Sequence, residues 1–260
     1  MLLAIDVGNT NLCFGIYEGE ELLGGFRLKT DLDRTSDEIG LFACDYFRRF
    51  GLEPESVEAV IIASVVPGIM YTLNNAMVKY FGHTPLVIDS GVEPGLEMGV
   101  EGKERLGPDR SVACVAAIAR YGAPCIVLDF GTATTLDAVD RQGRYKGGCI
   151  TTGLRVSANA LCSKTSMLPQ VELTRPEKVL NSTAVGHIQA GLVLGYIGAM
   201  EYLIRLAREE LSEPNCKVVA TGGLARLVAD SSGQIEAADC DLVLDGLRLI
   251  YNREKMAGRL

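Results

Sequence analysis

Three short apolar runs open the chain, each cut off by a tight polar turn. Leu2–Val7, Asn11–Tyr17 and Glu21–Leu28 read as strands joined at Gly8-Asn9-Thr10 and Glu18-Gly19-Glu20. Thr35-Ser36-Asp37-Glu38 then has the form of a capping box, starting a helix that runs to about Arg49 and ends at Gly51. A buried strand at Ala59–Ser64, a helix start near Pro67 and a short strand at Pro85–Ile88 follow. A helix from about Arg110 to Ala119 stops at Gly122 and Pro124.

From Cys125 the pattern begins again. Cys125–Phe130, Thr134–Val139 and Arg144–Thr151 read as strands, with turns at Gly131-Thr132-Ala133 and Arg141-Gln142-Gly143. Asp6 and Asp129, Gly8 and Gly131, Gly24 and Gly147, and Gly25 and Gly148 all stand 123 positions apart. Four matches on matching three-strand patterns predict an internal duplication. Helices at about Leu154–Cys162 and Ala184–Leu211 come next, then a strand Cys216–Thr221 ending in Gly222-Gly223. A short strand near Asp241–Leu244 and a terminal helix from Leu247 to about Met256 close the chain. On the long helix Gly191, Gly195 and Gly198 share one face, which suits close packing either within the chain or against a second subunit.

Composition narrows the classes. With 260 residues, 48% hydrophobic and 22% charged, the chain is a folded α/β protein of one large or two ordinary domains, not a disordered one. The net charge of −8, with no offsetting Lys or Arg run, excludes a dedicated nucleic-acid or anionic-membrane binder. Eight scattered cysteines without a C-x-x-C pair predict buried, reduced thiols, and His83 and His187 lack the neighbours a zinc site needs. The apolar start runs straight into Asp6 without a basic leader, and the stretches 59–78 and 180–200 are interrupted by polar residues. A soluble, cytoplasmic protein is expected.

Each half carries Asp-x-Gly-polar where its first strand turns into its second: Asp6-Val7-Gly8-Asn9-Thr10 and Asp129-Phe130-Gly131-Thr132. A carboxylate suits Mg²⁺, the glycine lets backbone approach a phosphate with its N–H as donor, and Asn or Thr adds hydrogen bonds. One such turn alone is simply a good hairpin. Two of them, each behind an Asp on a buried strand, favour a polyphosphate clamped between duplicated domains. No Walker loop, G-x-G-x-x-G or G-x-S-x-G competes. Gly107-Pro108-Asp109-Arg110 adds two readings of equal weight. Asp109 is a helix cap beside a surface Arg110, or it accepts a substrate hydroxyl proton while Arg110 stabilises a transferring phosphoryl group.

Over essentially its whole length the sequence resembles the type III pantothenate kinases, members of the class that includes acetate and sugar kinases, Hsp70 and actin. The resemblance rests on Asp6–Thr10, Ser64-Val65-Val66-Pro67, Gly107–Arg110, Asp129–Thr135, Gly147-Gly148, Thr183 with Gly191, and Thr221-Gly222-Gly223. It implies two actin/ribonuclease H-like domains, about 1–120 and 121–260, around a nucleotide cleft, with the terminal helix near 247–256 leaning back on the first. It implies that Asp6, Val7, Gly8, Asn9 and Thr10 bind ATP phosphates and Mg²⁺, with Gly131 and Thr132 contributing. Gly107, Pro108, Asp109 and Arg110 would bind substrate, Asp109 as proton acceptor and Arg110 on the phosphoryl group. Asp129 would hold a monovalent cation, potassium or ammonium, and Thr183 would contact pantothenate across a homodimer interface. The implied reaction is phosphorylation of pantothenate to 4′-phosphopantothenate.

The chain departs from that family where the acceptor binds. Val100 stands in place of a Tyr, Gly102 and Lys103 in place of Asn-Pro, Thr152 in place of a Pro, and Leu180 in place of a Gly. Losing a hydrogen-bonding Tyr from a pocket lowers affinity for a polar substrate. Two alternatives stand beside an active pantothenate kinase: a same-fold kinase of another small alcohol, and a non-catalytic regulatory homologue that binds nucleotide.

Overall fold

A computed structural model describes residues 1–100 and 106–260, so the departures at Gly102 and Lys103 lie outside the described residues. The chain divides into two compact units. The first comprises Met1–Leu96, Lys103–Ala116 and Val243–Leu260, and the second Glu97–Gly102 with Ala117–Leu242.

In the first unit, β1 (Leu2–Val7), β2 (Asn11–Glu18) and β3 (Glu21–Lys29) form the expected meander. After α1 (Ser36–Arg49), β4 (Ala59–Ser64) joins parallel to β1; after α2 (Met70–Phe81), β5 (Leu86–Val87) joins parallel to β4. The sheet order is β3-β2-β1-β4-β5. The capping box forms as read: the Thr35 hydroxyl accepts the Glu38 amide, and the Glu38 carboxylate accepts the Thr35 amide. Strand alternation sends Leu3, Ile5 and Val7 with Leu12, Phe14 and Ile16 to one face. There they bury against Ile39, Ala43 and Phe47 of α1 and Leu73 and Met77 of α2. At the other face, Leu244 of α8 (Leu242–Met256) lies against Gly15, and Gly246 lies against Val112 of α3 (Pro108–Tyr121).

The second unit repeats this plan. It contains a strand β6 (Glu97–Met98) and the meander β7 (Cys125–Phe130), β8 (Ala133–Val139) and β9 (Arg144–Thr152). Then follow α4 (Leu154–Ser163), α5 (Ala184–Gln189), a π turn at Ala190–Leu194, α6 (Gly195–Leu211), β10 (Lys217–Thr221), α7 (Ala225–Ala229) and β11 (Ala237–Ala238). The sheet order is β11-β10-β7-β8-β9-β6, with β10 parallel to β7 as β4 is to β1. Each meander carries a bulge at the corresponding place, Ile16/Tyr17 and Ala138/Val139. A duplicated topology with a duplicated irregularity bears out the repeat. The first turn is one residue longer: four residues separate the paired Val7 and Leu12, but three separate Phe130 and Thr134.

Three readings change. Asp241–Leu244 is not a strand: α8 begins at Leu242, and the closing strand is Ala237–Ala238. A short apolar run that is buried on all sides has no period to separate strand from helix. The long helix is interrupted by the π turn. Gly191, Gly195 and Gly198 on it are exposed, and no described atom lies within 4 Å of a Cβ built at any of them. They therefore do not serve close packing against the described residues of this chain. By length and composition Ala184–Leu211 could cross a membrane, but its Val193, Ile197, Met200 and Ile204 row lies in the second core with Ile126, Leu128 and Val218.

Candidate active site

The first turn leaves β1 with Val7 buried, Asp6 and Gly8 half-buried, and Asn9 and Thr10 exposed. The Gly8 amide donates to the Asn11 carbonyl at 3.0 Å, which closes the turn on itself. The corresponding Gly131 amide donates to Ala133 at 3.0 Å. Neither glycine therefore offers its N–H outward, contrary to the sequence reading; what each contributes is the absence of a side chain. Thr30, just past β3, holds the first turn from the side. Its hydroxyl donates to the Gly8 carbonyl at 2.6 Å, and its amide donates to Thr10 at 2.9 Å.

The register reveals a neighbour that the motif search missed. Asp6 pairs with Cys13, and Cys13 pairs with Arg27, so the three form one row on one face of the sheet. Asn11 and Lys29 form the next pair on that face, beside the turn. Strand alternation in Phe26-Arg27-Leu28-Lys29 carried the signal, because Phe26 and Leu28 are core residues and the two cations alternating with them must face the other way.

Gly107 to Arg110 form the start of α3, with Pro108 as its first helical residue. The Asp109 carboxylate turns back to accept the Arg110 amide at 2.8 Å, lying so close to Gly107 that a Cβ there would sit 2.7 Å from its oxygen. Ser111 donates from its hydroxyl to the Pro108 carbonyl at 3.0 Å, and its amide donates to Gly107. Asp109 and Arg110 are both half-buried. An acid in the first turn also faces the positive end of the helix dipole.

The second turn is exposed at Gly131, Thr132 and Ala133 but closely packed from behind. Gly222, at φ 88°, is pressed against Asp129: a Cβ there would stand 2.3 Å from the carboxylate and 2.8 Å from the Phe130 nitrogen. Gly153 donates its amide to the Thr132 carbonyl at 3.0 Å and leaves no room for a Cβ against Gly131 and Thr132. Tyr196 of α6 reaches over the hairpin, its hydroxyl bonded to buried Thr134 and its ring against Phe130. Burial raises the Tyr196 phenol above its ordinary pKa, with the Asp129 carboxylate adding to the rise and the Thr134 bond opposing it. Thr135, the cross-strand partner of Asp129, donates to Asp137 at 3.2 Å, which sets a hydroxyl and two carboxylates at neighbouring positions, with Ile150 next in the row. Such a set fits a hard cation.

Thr183 caps α5, its hydroxyl oxygen accepting the Gly186 amide at 3.1 Å. The side chain is exposed and keeps its O–H to donate. Of the departures, Val100, Thr152 and Leu180 are all exposed, Leu180 at 86%. Among the described residues no group of three or more His, Cys, Asp or Glu could hold a metal by itself. A single carboxylate such as Asp6 matches Mg²⁺ that arrives on a triphosphate. Burial pushes Cys125 up to about 12 and Cys216 up to about 11, so neither is a nucleophile at neutral pH. Grooves of about 700 and 790 Å³ flank α6, and no predicted site residue lines either.

The pattern of the type III pantothenate kinase family matches residues 2–206. The type III pantothenate kinase of Exiguobacterium sibiricum is 42% identical over 255 residues, covering 98% of this chain and 100% of that protein. Its Agathobacter rectalis counterpart is 39% identical over 258 residues, covering 99% of each. Among solved structures, a Campylobacter jejuni protein proposed as a Baf family transcriptional activator shares the fold with a TM-score of 0.64 at 18% identity, covering 99% and 100% of the two chains. A ROK hexokinase from Thermus thermophilus does so with a TM-score of 0.51 at 14% identity, covering 97% and 99%. With two mixed sheets of repeated topology, the motif residues at their strand ends and full-length relatives of one kind, this chain belongs to the type III pantothenate kinase family.

Proposed function

We propose that this chain is a working pantothenate kinase, transferring the γ-phosphoryl group of ATP to pantothenate to give ADP and 4′-phosphopantothenate, the first step of coenzyme A biosynthesis. The observation that carries this is the pair of Asp-x-Gly turns at equivalent strand ends of two sheets with one topology. Asp6, Asp109, Arg110 and Asp129 are all retained.

In this reading Asp6, Val7, Gly8, Asn9 and Thr10 receive the phosphates, and Gly131 with Thr132 adds a second contact. Asp6 would hold Mg²⁺ on the triphosphate, which supplies charge neutralisation for the leaving group. Gly107 and Pro108 shape the loop that presents Asp109. Asp109 accepts the proton of the pantothenate hydroxyl as that oxygen forms its bond to the γ-phosphorus. The bond to the β–γ bridging oxygen breaks, and its electron pair leaves with ADP. Arg110 offsets charge on the transferring group, which is where positioned cations count most. Asp129, with the Thr135 hydroxyl across the strand, fits potassium or ammonium. Thr183 donates its remaining O–H to the acceptor.

A homodimer is part of the proposal. The exposed glycine face of the long helix and exposed Val179, Leu180 and Val185 beside Thr183 offer a surface that a second copy would cover. We place the enzyme in the cytoplasm, where ATP is available and thiols stay reduced.

The test is ADP release with ATP, Mg²⁺ and potassium, with and without pantothenate. Release that depends on pantothenate supports the reading; dependence on another small alcohol, or binding without turnover, replaces it. Asp109→Asn should lower kcat by about 10²- to 10⁴-fold, the usual span for a general base. Melting temperature and ATP affinity should stay near the parent's; a matching loss of stability would make Asp109 a structural cap instead.

A further inference from the structure

Resting on the reading that the first turn receives the triphosphate, we infer that Arg27 is a further phosphate-contacting residue. The register sets Arg27 in one row with Asp6, two strands over and on the same face. At about 4.8 Å per strand the two backbones are about 10 Å apart, a gap that a guanidinium side chain and a bound phosphate close together. The frame is rigid where it matters. Thr30, three residues on, is bonded through hydroxyl and amide to Gly8 and Thr10, which ties the end of β3 to the turn.

Arg27 is exposed, and no carboxylate among the described residues forms an ion pair with it. Arg49, Arg155, Arg175 and Arg226 likewise form no ion pair among the described residues, so it is the row shared with Asp6 that singles Arg27 out. Packing of the hairpin does not call for a cation either. The duplicated row runs Asp129, Thr135, Ile150, so an isoleucine holds the same place in the second sheet. In a chain of net charge −8, an unpaired guanidinium level with the phosphate turn matches the ligand rather than the fold. Its planar fork suits two phosphate oxygens at once.

Calorimetric binding of a non-hydrolysable ATP analogue with Mg²⁺ tests this without an acceptor. Arg27→Gln should weaken binding about tenfold, the scale of one lost charge-assisted hydrogen bond. Arg27→Lys should recover affinity to within about threefold of the parent, because the charge returns without the fork. Arg205→Gln, the same charge loss on an exposed helix, should change affinity less than about twofold. Binding of Arg27→Gln within twofold of the parent, or an equal loss in Arg205→Gln, would overturn the inference. A parent that binds no analogue would instead overturn the kinase reading beneath it.

Discussion

The two Asp-x-Gly turns of this chain share an ancestor pattern and differ in almost everything around it. The first is the longer by one residue, open at Asn9 and Thr10, and held from one side by Thr30. Its row neighbours on the sheet are cations, Arg27 and Lys29. The second is as exposed at Gly131 and Thr132, but Gly222 and Gly153 pack tightly behind it, Tyr196 bonds Thr134, and the corresponding row positions are Ile150 and Thr152. Duplication thus preserved a backbone frame, while the side chains divided the work. The first copy gained two cations level with its turn, and the second a close-packed wall behind one carboxylate.

That contrast is open to attack at three points. The largest effect should come from replacing one glycine beside each turn. Gly222→Ala adds a methyl where there is no room and forces a side chain into left-handed backbone, which should cost about 2–4 kcal/mol. Gly8→Ala meets only the Asn11 carbonyl at 3.3 Å and should cost about 1 kcal/mol or less. Urea unfolding of both proteins measures the gap, and equal losses would mean that the backing of the second turn is packed no more tightly than the first turn. Next, Tyr196→Phe removes one partner of buried Thr134 and should cost about 1–2 kcal/mol in the same measurement. An unchanged midpoint would remove Tyr196 from the wall. The smallest effect is ionic. Exchanging potassium for sodium at constant ionic strength should slow turnover several-fold, on the order of 1 kcal/mol in barrier. Asp129→Asn should erase that difference, and identical parent rates in the two salts would take the cation away from Asp129.

Most of the fold was legible because its signals are local. The β1–β3 and β7–β9 meanders alternate in the pleat period, the Thr35–Glu38 box names its own helix, and the Asp-x-Gly turns repeat at constant spacing. Elements without a local signal were misread. The run at Leu242 is apolar on every side, and the two-residue strands β6 and β11 owe their pairing to distant partners, Arg144-Tyr145 and Val219-Ala220. The π turn at Ala190–Leu194 has no motif of its own.

The site divides in the same way. Chain order alone could name Asp6, Asp109, Arg110 and Asp129 as candidates, because a carboxylate or a cation beside glycine or a helix start is visible in a string of letters; Thr183 entered only through the family resemblance. It could not show that the amides of Gly8 and Gly131 are spent inside their own turns, that Gly222 presses on Asp129, or that Tyr196 bonds Thr134 across 62 positions. Nor could it place Arg27 level with Asp6. Such relations are set by strand register and close packing, which join residues far apart in sequence and so exist only once the chain has folded.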